Sequence, residues 1–381
     1  LQGKANLDRL SLAWLGALVP DSPELDGLIN AAMDFRVDAA GEVRGRLDLD
    51  IPRGLARLNV QGREEELDYS GSRIRALADG KGGEAEVDFS LKRGGGLEGR
   101  LALPGWSIKQ PDRPGQPLKG SLKANLEDLG SFSALVPNLA QLRGRIEADL
   151  KVSGTFSQPG IKGFARLAGA GFELAQLGLK LESMELEARN KGLNEIVYSG
   201  GLVSGEGRLE IGGSTRLDPS RGWPTRLTLK GQDLTVADIP EAWMLVSPDL
   251  QLDMVNRRVG LKGEIFVPRA RIRPRTLPDT AIAPSPDVRF IDVRGEVVEQ
   301  DPLQVNASIR LRLGDQVSFD GFGVRGLIRG NLLLTDAPGR PTLGNGQVSI
   351  EEGTYKAYGQ DLRIRQGRAI FANSLITDPG I

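Results

Sequence analysis

The chain has 381 residues, with 49 basic and 50 acidic side chains, 50 Gly, 22 Pro, no Cys and no His. Those two absences exclude thiol nucleophiles, Cys/His zinc sites, Ser-His-Asp chemistry and any histidine general base. A net charge of −1 gives no global field for nucleic acid, and no run of about 18 apolar residues marks a membrane span.

Near the start, Leu7, Leu10, Trp14 and Leu18 recur at three or four residues, which predicts a short amphipathic helix ended by Pro20. From Gly27 the period drops to two: Ile29, Ala31, Met33, Phe35 and Val37 alternate with polar positions. The clearest strand of this region is Glu84 to Lys92, with Ala85, Val87, Phe89 and Leu91 on one parity and Glu84, Glu86 and Asp88 on the other. Leu97, Gly99, Leu101 and Leu103 repeat it after a triple-glycine turn, and Lys109 to Gln116 reads as a connection.

The pattern then starts again. Lys123-Ala124-Asn125-Leu126 copies Lys4-Ala5-Asn6-Leu7, and Ala134-Leu135-Val136-Pro137 copies Ala17-Leu18-Val19-Pro20. Gly144, Ile146, Ala148, Leu150 and Val152 follow as Gly27, Ile29, Ala31, Met33 and Phe35 do. A weaker third copy begins at Gly231, with Leu234 and Leu245 spaced as Leu7 and Leu18 are. The expectation is three stacked units, residues 1–119, 120–230 and 231–381, each a short capping helix followed by a meander of strands. The start at Leu1-Gln2-Gly3 and the finish at Asp378-Pro379-Gly380-Ile381 suggest a piece of a longer chain, with the third unit cut short.

In the third unit, Arg269, Arg271, Arg273 and Arg275 share one parity. They could bind phosphate head groups or an acidic partner, but a solvated strand face is the plainer reading. Residues 276–286 form a Pro-rich loop. Gly321-Phe322-Gly323-Val324-Arg325-Gly326 has the letters of a dinucleotide fingerprint, yet more strand pattern follows it instead of a helix. In Gly344 to Phe371 alternation runs through Val348 and Ile350, breaks at a turn placed at Glu352-Gly353, and resumes at Leu362 and Ile364. No close carboxylate pair sits beside an apolar pocket signal, so no enzyme activity, cofactor or metal is expected.

The aliphatic parity carries the functional argument. Aromatics are only 5% of a chain that is 39% hydrophobic, so few large rings are available to plug a closed interior. A long sheet curled around such a face would leave a greasy trough, and exposed apolar surface of that size marks a binding surface.

Gly353-Thr354-Tyr355-Lys356-Ala357-Tyr358-Gly359-Gln360-Asp361-Leu362-Arg363-Ile364, with Gly367 and Phe371, resembles the C-terminal region of the TamB family. So do Gly263-Glu264-Ile265, Val267-Pro268-Arg269-Ala270-Arg271-Ile272 and Gly321-Phe322-Gly323, with the spacing between these blocks. The earlier repeats are similar in style to AsmA-like proteins. This resemblance implies an all-β, elongated β-taco, a U-shaped curled sheet with an apolar concave groove. It also implies a periplasmic bridge anchored in the inner membrane by an N-terminal helix that this chain lacks, with a TamA-like barrel in the outer membrane as partner.

The expected function is a conduit that carries phospholipids between the two membranes, with acyl chains on the aliphatic parity. The groove residues are expected to be Val87, Phe89, Leu91, Leu101, Ile146, Leu150, Leu227, Leu229, Ile309, Leu311, Leu313, Leu332, Leu334, Val348, Ile350, Leu362 and Ile364. Binding there would be generic, at roughly 0.8 kcal/mol per buried methylene. A charge at Leu311 or Ile350 is expected to block transfer and spare the fold. The alternative is a chaperone-like scaffold that helps assemble outer-membrane barrels and autotransporters through a sheet edge.

Overall fold

The structure is a computed structural model and describes residues 1–11, 24–39, 42–60, 63–91, 95–130, 132, 139–275, 303–357, 360–365, 367–378 and 380. It is all-β, with two compact units, Leu1–Thr228 and Leu229–Ile381. Helical geometry among the described residues is limited to 3-10 turns such as Ala175–Leu177 and Pro219–Arg221.

The first unit is an antiparallel meander. Its strands are β1 (Gln2–Ser11), β2 (Glu24–Val37), β3 (Val43–Val60), β4 (Arg63–Asp79), β5 (Gly82–Ser90), β6 (Gly95–Pro104), β7 (Lys119–Leu126), β8 (Ala140–Gly154), β9 (Pro159–Leu174), β10 (Leu179–Asn190), β11 (Glu195–Ser204) and β12 (Gly207–Arg216). From β1 to β12 each strand pairs with the next. Hairpin-linked neighbours need only local closure, which suits a glycine-rich chain of alternating residues. The loop between β6 and β7, the connection expected at Lys109 to Gln116, is pinned by fully buried Gln116. Its Nε2 donates to the carbonyls of Pro104 and Pro117, both at 2.9 Å.

β13 (Thr225–Gln232) leads into the second unit, which holds β14 (Leu234–Ile239), β15 (Ala242–Val255), β16 (Arg258–Ile272), β17 (Gln304–Gly321), β18 (Val324–Asp336), β19 (Leu343–Ala357), β20 (Gln360–Ile364) and β21 (Gly367–Leu375). β16 and β17 pair in parallel, and β14–β15, β15–β16 and the pairings from β17 to β21 are antiparallel. A parallel pair cannot be closed by a hairpin. The Pro-rich loop expected at residues 276–286 falls within that connection and lies outside the described residues.

Three expectations change. The helix from Leu7 to Leu18 is a strand through Ser11, and its remainder lies outside the described residues. The three-residue spacing of Leu7 and Leu10 comes from a bulge: Leu7 pairs with Ala31 and Leu10 with Ile29, so β1 carries one extra residue. Arg9 takes φ 55° there, and its N–H donates to Asn30 Oδ1 at 2.9 Å. The third copy of the helix, Leu234 to Leu245, is the β14–β15 hairpin. Pro240 stands in its turn and could not continue a helix. The turn placed at Glu352-Gly353 is also a bulge, inside the continuous strand β19, with Glu352 at φ 51°.

Both Lys-Ala-Asn-Leu segments are strands, β1 and β7, and each pairs with the strand that follows it. The matching glycines Gly27 and Gly144 both have positive φ, 142° and 126°.

A single flat sheet would leave one face wholly wet, but these sheets curl. Ile29 on β2 and Leu91 just after β5 belong to one buried cluster, with Leu10, Leu49, Leu126 and Phe132 packed on it. Three strand spacings, about 14 Å when flat, separate β2 from β5, so the apolar face closes on itself there. In the second unit Val267 and Val317 are 3% and 2% exposed, under Met244, Val246, Ile265, Ile272 and Ile328.

Close strand approach at such curls needs glycine. At Gly330 (φ 146°) an added Cβ would stand 2.1 Å from the carbonyl oxygen of Gln347 and 2.9 Å from Val348 Cα. Gly330→Ala is expected to destabilise the second unit by about 3 kcal/mol. Gly339→Ala, at φ 69° with nothing within 4 Å, should cost only about 1 kcal/mol. Urea midpoints of the two variants check the contrast.

Candidate functional site

Residues paired across neighbouring strands point to one face, so the register itself maps the apolar surface. In the first unit Ala5, Met33, Leu47, Ala76, Ala85 and Leu101 stand in one row across β1 to β6. The next row runs Leu7, Ala31, Leu49, Ile74, Val87, Gly99, Leu122 and Leu150. Parts of these rows are uncovered: Ile74 is 40% and Leu101 43% exposed. A cleft of about 300 Å³ opens here, with Met33, Phe35, Leu47, Ala85, Leu101, Leu103 and Trp106 among its lining residues.

Farther along, a floor of small residues lies between two walls. Leu97, Ala124, Ala148, Ala165 and Ala188 form the floor row from β6 to β10, and Phe89 leads into it. One wall is Leu122 and Leu150. The other is Leu126, Ile146, Leu167 and Leu186. The rows are two residues apart, about 6.6 Å, so the furrow runs across the strands; Ala124 and Ala148 are buried in it and Ala165 and Ala188 half-buried.

The expected groove residues therefore share faces as the alternation required. Val87, Phe89, Leu101, Ile146 and Leu150 lie in these rows, half-buried apart from exposed Leu101, while Leu91 is buried in the cluster at the strand ends. Leu227 and Leu229 are half-buried alternate residues of β13. In the second unit Ile309 pairs with Leu334, Leu311 with Leu332, Val348 with Gly330, and Ile350 with Ile328. Leu313 pairs with Gly330, and Ile364 with Gly353. Leu362 pairs with Tyr355 at the exposed end of that face.

The second-unit set is more filled than the first. Leu311 and Leu313 pack on the Val267–Val317 core. Ile350 crowds Gly326 and Gly353, whose added Cβ atoms would lie 2.8 and 2.7 Å from its Cγ2. Leu332 is buried. Sequence reading left Leu47, Ile74 and Trp106 out of the groove. Leu47 and Ile74 sit on strands whose alternation is broken by Gly and Ala, and Trp106 lies in the β6–β7 loop, where no period applies.

The opposite face is a charge ladder. Asp48, Arg75, Glu86 and Arg100 stand in register across β3 to β6, with ion pairs at 3.5 Å for Arg75–Asp48 and 3.3 Å for Arg100–Glu86. On β9 and β10 Glu187 accepts from Arg166 at 3.2 Å and from Arg189 at 2.6 Å. The hydrogen bond from Arg46 holds the Asp48 carboxyl below its ordinary range, helped by the charges of Arg46, Arg75 and Arg73. Glu187 is lowered the same way, first by its hydrogen bond from Arg189. Each exposed pair is worth little alone, because water and salt screen it. Their common effect is to keep this face in water.

Two family models match the chain, the TamB N-terminal domain over residues 2–167 and the TamB C-terminal domain over residues 199–381. The Translocation and assembly module subunit TamB of Haemophilus influenzae is 24% identical over 273 residues, covering 67% of this chain and 20% of that protein. The chain thus spans about a fifth of the length of that curated relative. No solved structure matches the chain. Among the described residues, no helix is long and apolar enough to cross a membrane.

The ladder predicts acid sensitivity. Folded-state carboxyls lowered below their unfolded values contribute stability at neutral pH, and that contribution is lost as pH falls from about 4 through the lowered folded values. The double variant Asp48→Asn, Glu187→Gln should therefore lose less of its urea midpoint between pH 7 and pH 3 than the parent chain does.

Proposed function

The chain belongs to the TamB family, and from that premise we propose that it is a segment of an envelope lipid conduit, not an enzyme. The reading places it in the periplasm. Its ligand is the acyl portion of phospholipids, held on the aliphatic face while head groups stay in water. The whole protein would work with an outer-membrane barrel partner; the name of its relative, a translocation and assembly module subunit, supports a partnered role. One observation carries this reading: rows of aliphatic side chains continue from strand to strand in the first unit, part-covered, with an alanine floor between leucine walls. Hydrocarbon needs such a surface and no polar partner, at roughly 0.8 kcal/mol per methylene buried.

The choice of test variant follows from exposure. A charge at Leu311 or Ile350 would enter packed surroundings and threaten the fold itself. Leu101 and Ile74 are open, so Leu101→Asp and Ile74→Asp put the charge where a ligand would lie. Each should leave the melting temperature within a few degrees and reduce bound phospholipid in native mass spectra by about tenfold, equivalent to about 1.4 kcal/mol. Folded variants that load lipid as the parent does would exclude this face as the binding surface. Independently, brominated acyl chains should quench a chain that keeps Trp106 as its sole tryptophan.

A second reading has one supporting observation. The outer edge of β21 accepts pairing, since Ile370 exchanges both backbone hydrogen bonds with Gly380, at 2.7 and 2.9 Å. A client strand could add beside the same edge during outer-membrane protein assembly. Arg368→Pro would remove an outward N–H on that edge. Under this reading it impairs client assembly and spares lipid loading; the conduit reading expects no change in either.

A further inference from the structure

One rim of the second unit combines strain, exposed aromatic surface and excess positive charge. The β17–β18 hairpin turns at Phe322-Gly323 with φ 53° and 81°, both positive, the geometry that favours Asn-Gly. Gly323 is required: its Cβ would lie 2.5 Å from the Lys356 carbonyl oxygen and 3.3 Å from the Tyr355 ring. Phe322 is not required by the turn. An aromatic residue in the left-handed region costs about 1–2 kcal/mol, yet Phe322 is 50% exposed and recovers little of that cost by burial. Such an outlier points to a role outside the fold.

The surroundings name the ligand chemistry. Pro274 packs against Gly321, which sets Arg273 and Arg275 beside the hairpin. Arg273 and Arg325 share the single carboxylate of Asp320, at 4.0 and 2.8 Å. Arg275 pairs with Glu241 at 3.1 Å, Lys356 with Asp361 at 3.6 Å, and Arg271 lies 5.8 Å from the Trp243 ring centroid. Among the described residues five cations thus meet three carboxylates here, and the five cations are exposed. On the apolar side of the same rim, Val324, Tyr355 and Leu362 stand in register, the last two exposed. The charged row of Asp320 and Arg325 and the apolar row of Val324, Tyr355 and Leu362 lie on opposite faces that meet at the hairpin end. An anionic phospholipid bound over that end sets its phosphodiester against the first row and its acyl chains against the second.

We propose that this rim is a head-group subsite for anionic phospholipid. The arginines Arg273 and Arg325 take the phosphodiester, and Phe322 and Tyr355 contact the glycerol and the upper acyl carbons. The assignment rests on the reading that acyl chains occupy the aliphatic face. It adds a selectivity that the aliphatic face cannot supply, because hydrocarbon contact does not distinguish head groups. The same phosphodiester could come from a lipid loaded on the chain or from a bilayer surface.

Two measurements separate these sources. In the first, the chain is loaded from an equimolar detergent mixture of phosphatidylglycerol and phosphatidylcholine, and the bound lipids are weighed by native mass spectrometry. In the second, the chain is sedimented with vesicles of phosphatidylglycerol or of phosphatidylcholine. The variants are Arg273→Gln with Arg325→Gln, and Phe322→Asn, which suits the turn and should melt no lower than the parent. An arginine near an anionic lipid surface is worth about fivefold in binding. The arginine pair should therefore bring the preference for phosphatidylglycerol close to one, and Phe322→Asn should lower it in part. A lost preference in the loading arm supports the subsite with loaded lipid as the source. Loss in the sedimentation arm alone supports it with the bilayer surface as the source. Folded variants that match the parent in both arms overturn the subsite. If the parent loads no lipid, the conduit reading falls, and the sedimentation arm still decides the rim.

Discussion

The structure depends on the period of two. In a strand, alternate side chains face opposite ways, so a chain that alternates aliphatic and charged residues must make a sheet with one dry and one wet face. Most folds cover the dry face with a second layer. Within each unit the described residues form a sheet without a helical layer, so curl has to do that work. Curl is enough at the strand ends around Ile29 and Leu91 and at Val267, Ala270 and Val317. It leaves Ile74 and Leu101 part-covered.

Curl and charge act together. The ladder of Asp48, Arg75, Glu86 and Arg100 adds little stability per pair, but it makes inversion of the curl costly. Bending the other way would crowd these side chains and strip their water, while exposing the aliphatic rows. Glycines set where the bend is tight. Gly330 and Gly346 each face a large partner across the strand, Val348 and Leu332, with no room for a Cβ between the backbones. A furrow between leucine rows is thus built from three residue classes: charged outside, aliphatic for the walls, small for the floor and the bends.

Much of this was legible in the residues. The β5 segment, with Ala85, Val87 and Phe89 opposite Glu84, Glu86 and Asp88, reads as a two-faced strand without any structure. Both Lys-Ala-Asn-Leu tetrapeptides are strands, as the alternation after them suggested, though Leu7 pairs with Ala31 and Leu126 with Ile146, a register two residues apart within the repeat. Bulges were not legible. An extra residue at Arg9 turns a spacing of two into three and mimics a helix, and Glu352 mimics a turn. The core of the second unit was hidden for another reason. Ala270 and Val317 meet because β16 and β17 run parallel, a register fixed by long-range pairing and not by local pattern. That pairing is why Leu311 and Leu313, alternating like any groove residue, pack onto a closed core.

The difference between the two aliphatic faces bears on how a conduit could be stable at all. A face that is open everywhere has no folding free energy beyond its backbone ladder and its edges, and an isolated sheet of that kind is marginal. Burial of Val267, Ala270 and Val317 supplies a local core, so the rest of a face need not be buried by the chain itself. In the first unit the strand-end cluster around Ile29 and Leu91 plays that part. In the alanine row, Ala124 and Ala148 are already covered, so larger aliphatics there would crowd the facing chain. Ala165 and Ala188 are only half-buried, so the row opens toward β9 and β10, where the curl leaves aliphatic surface that the chain itself does not bury.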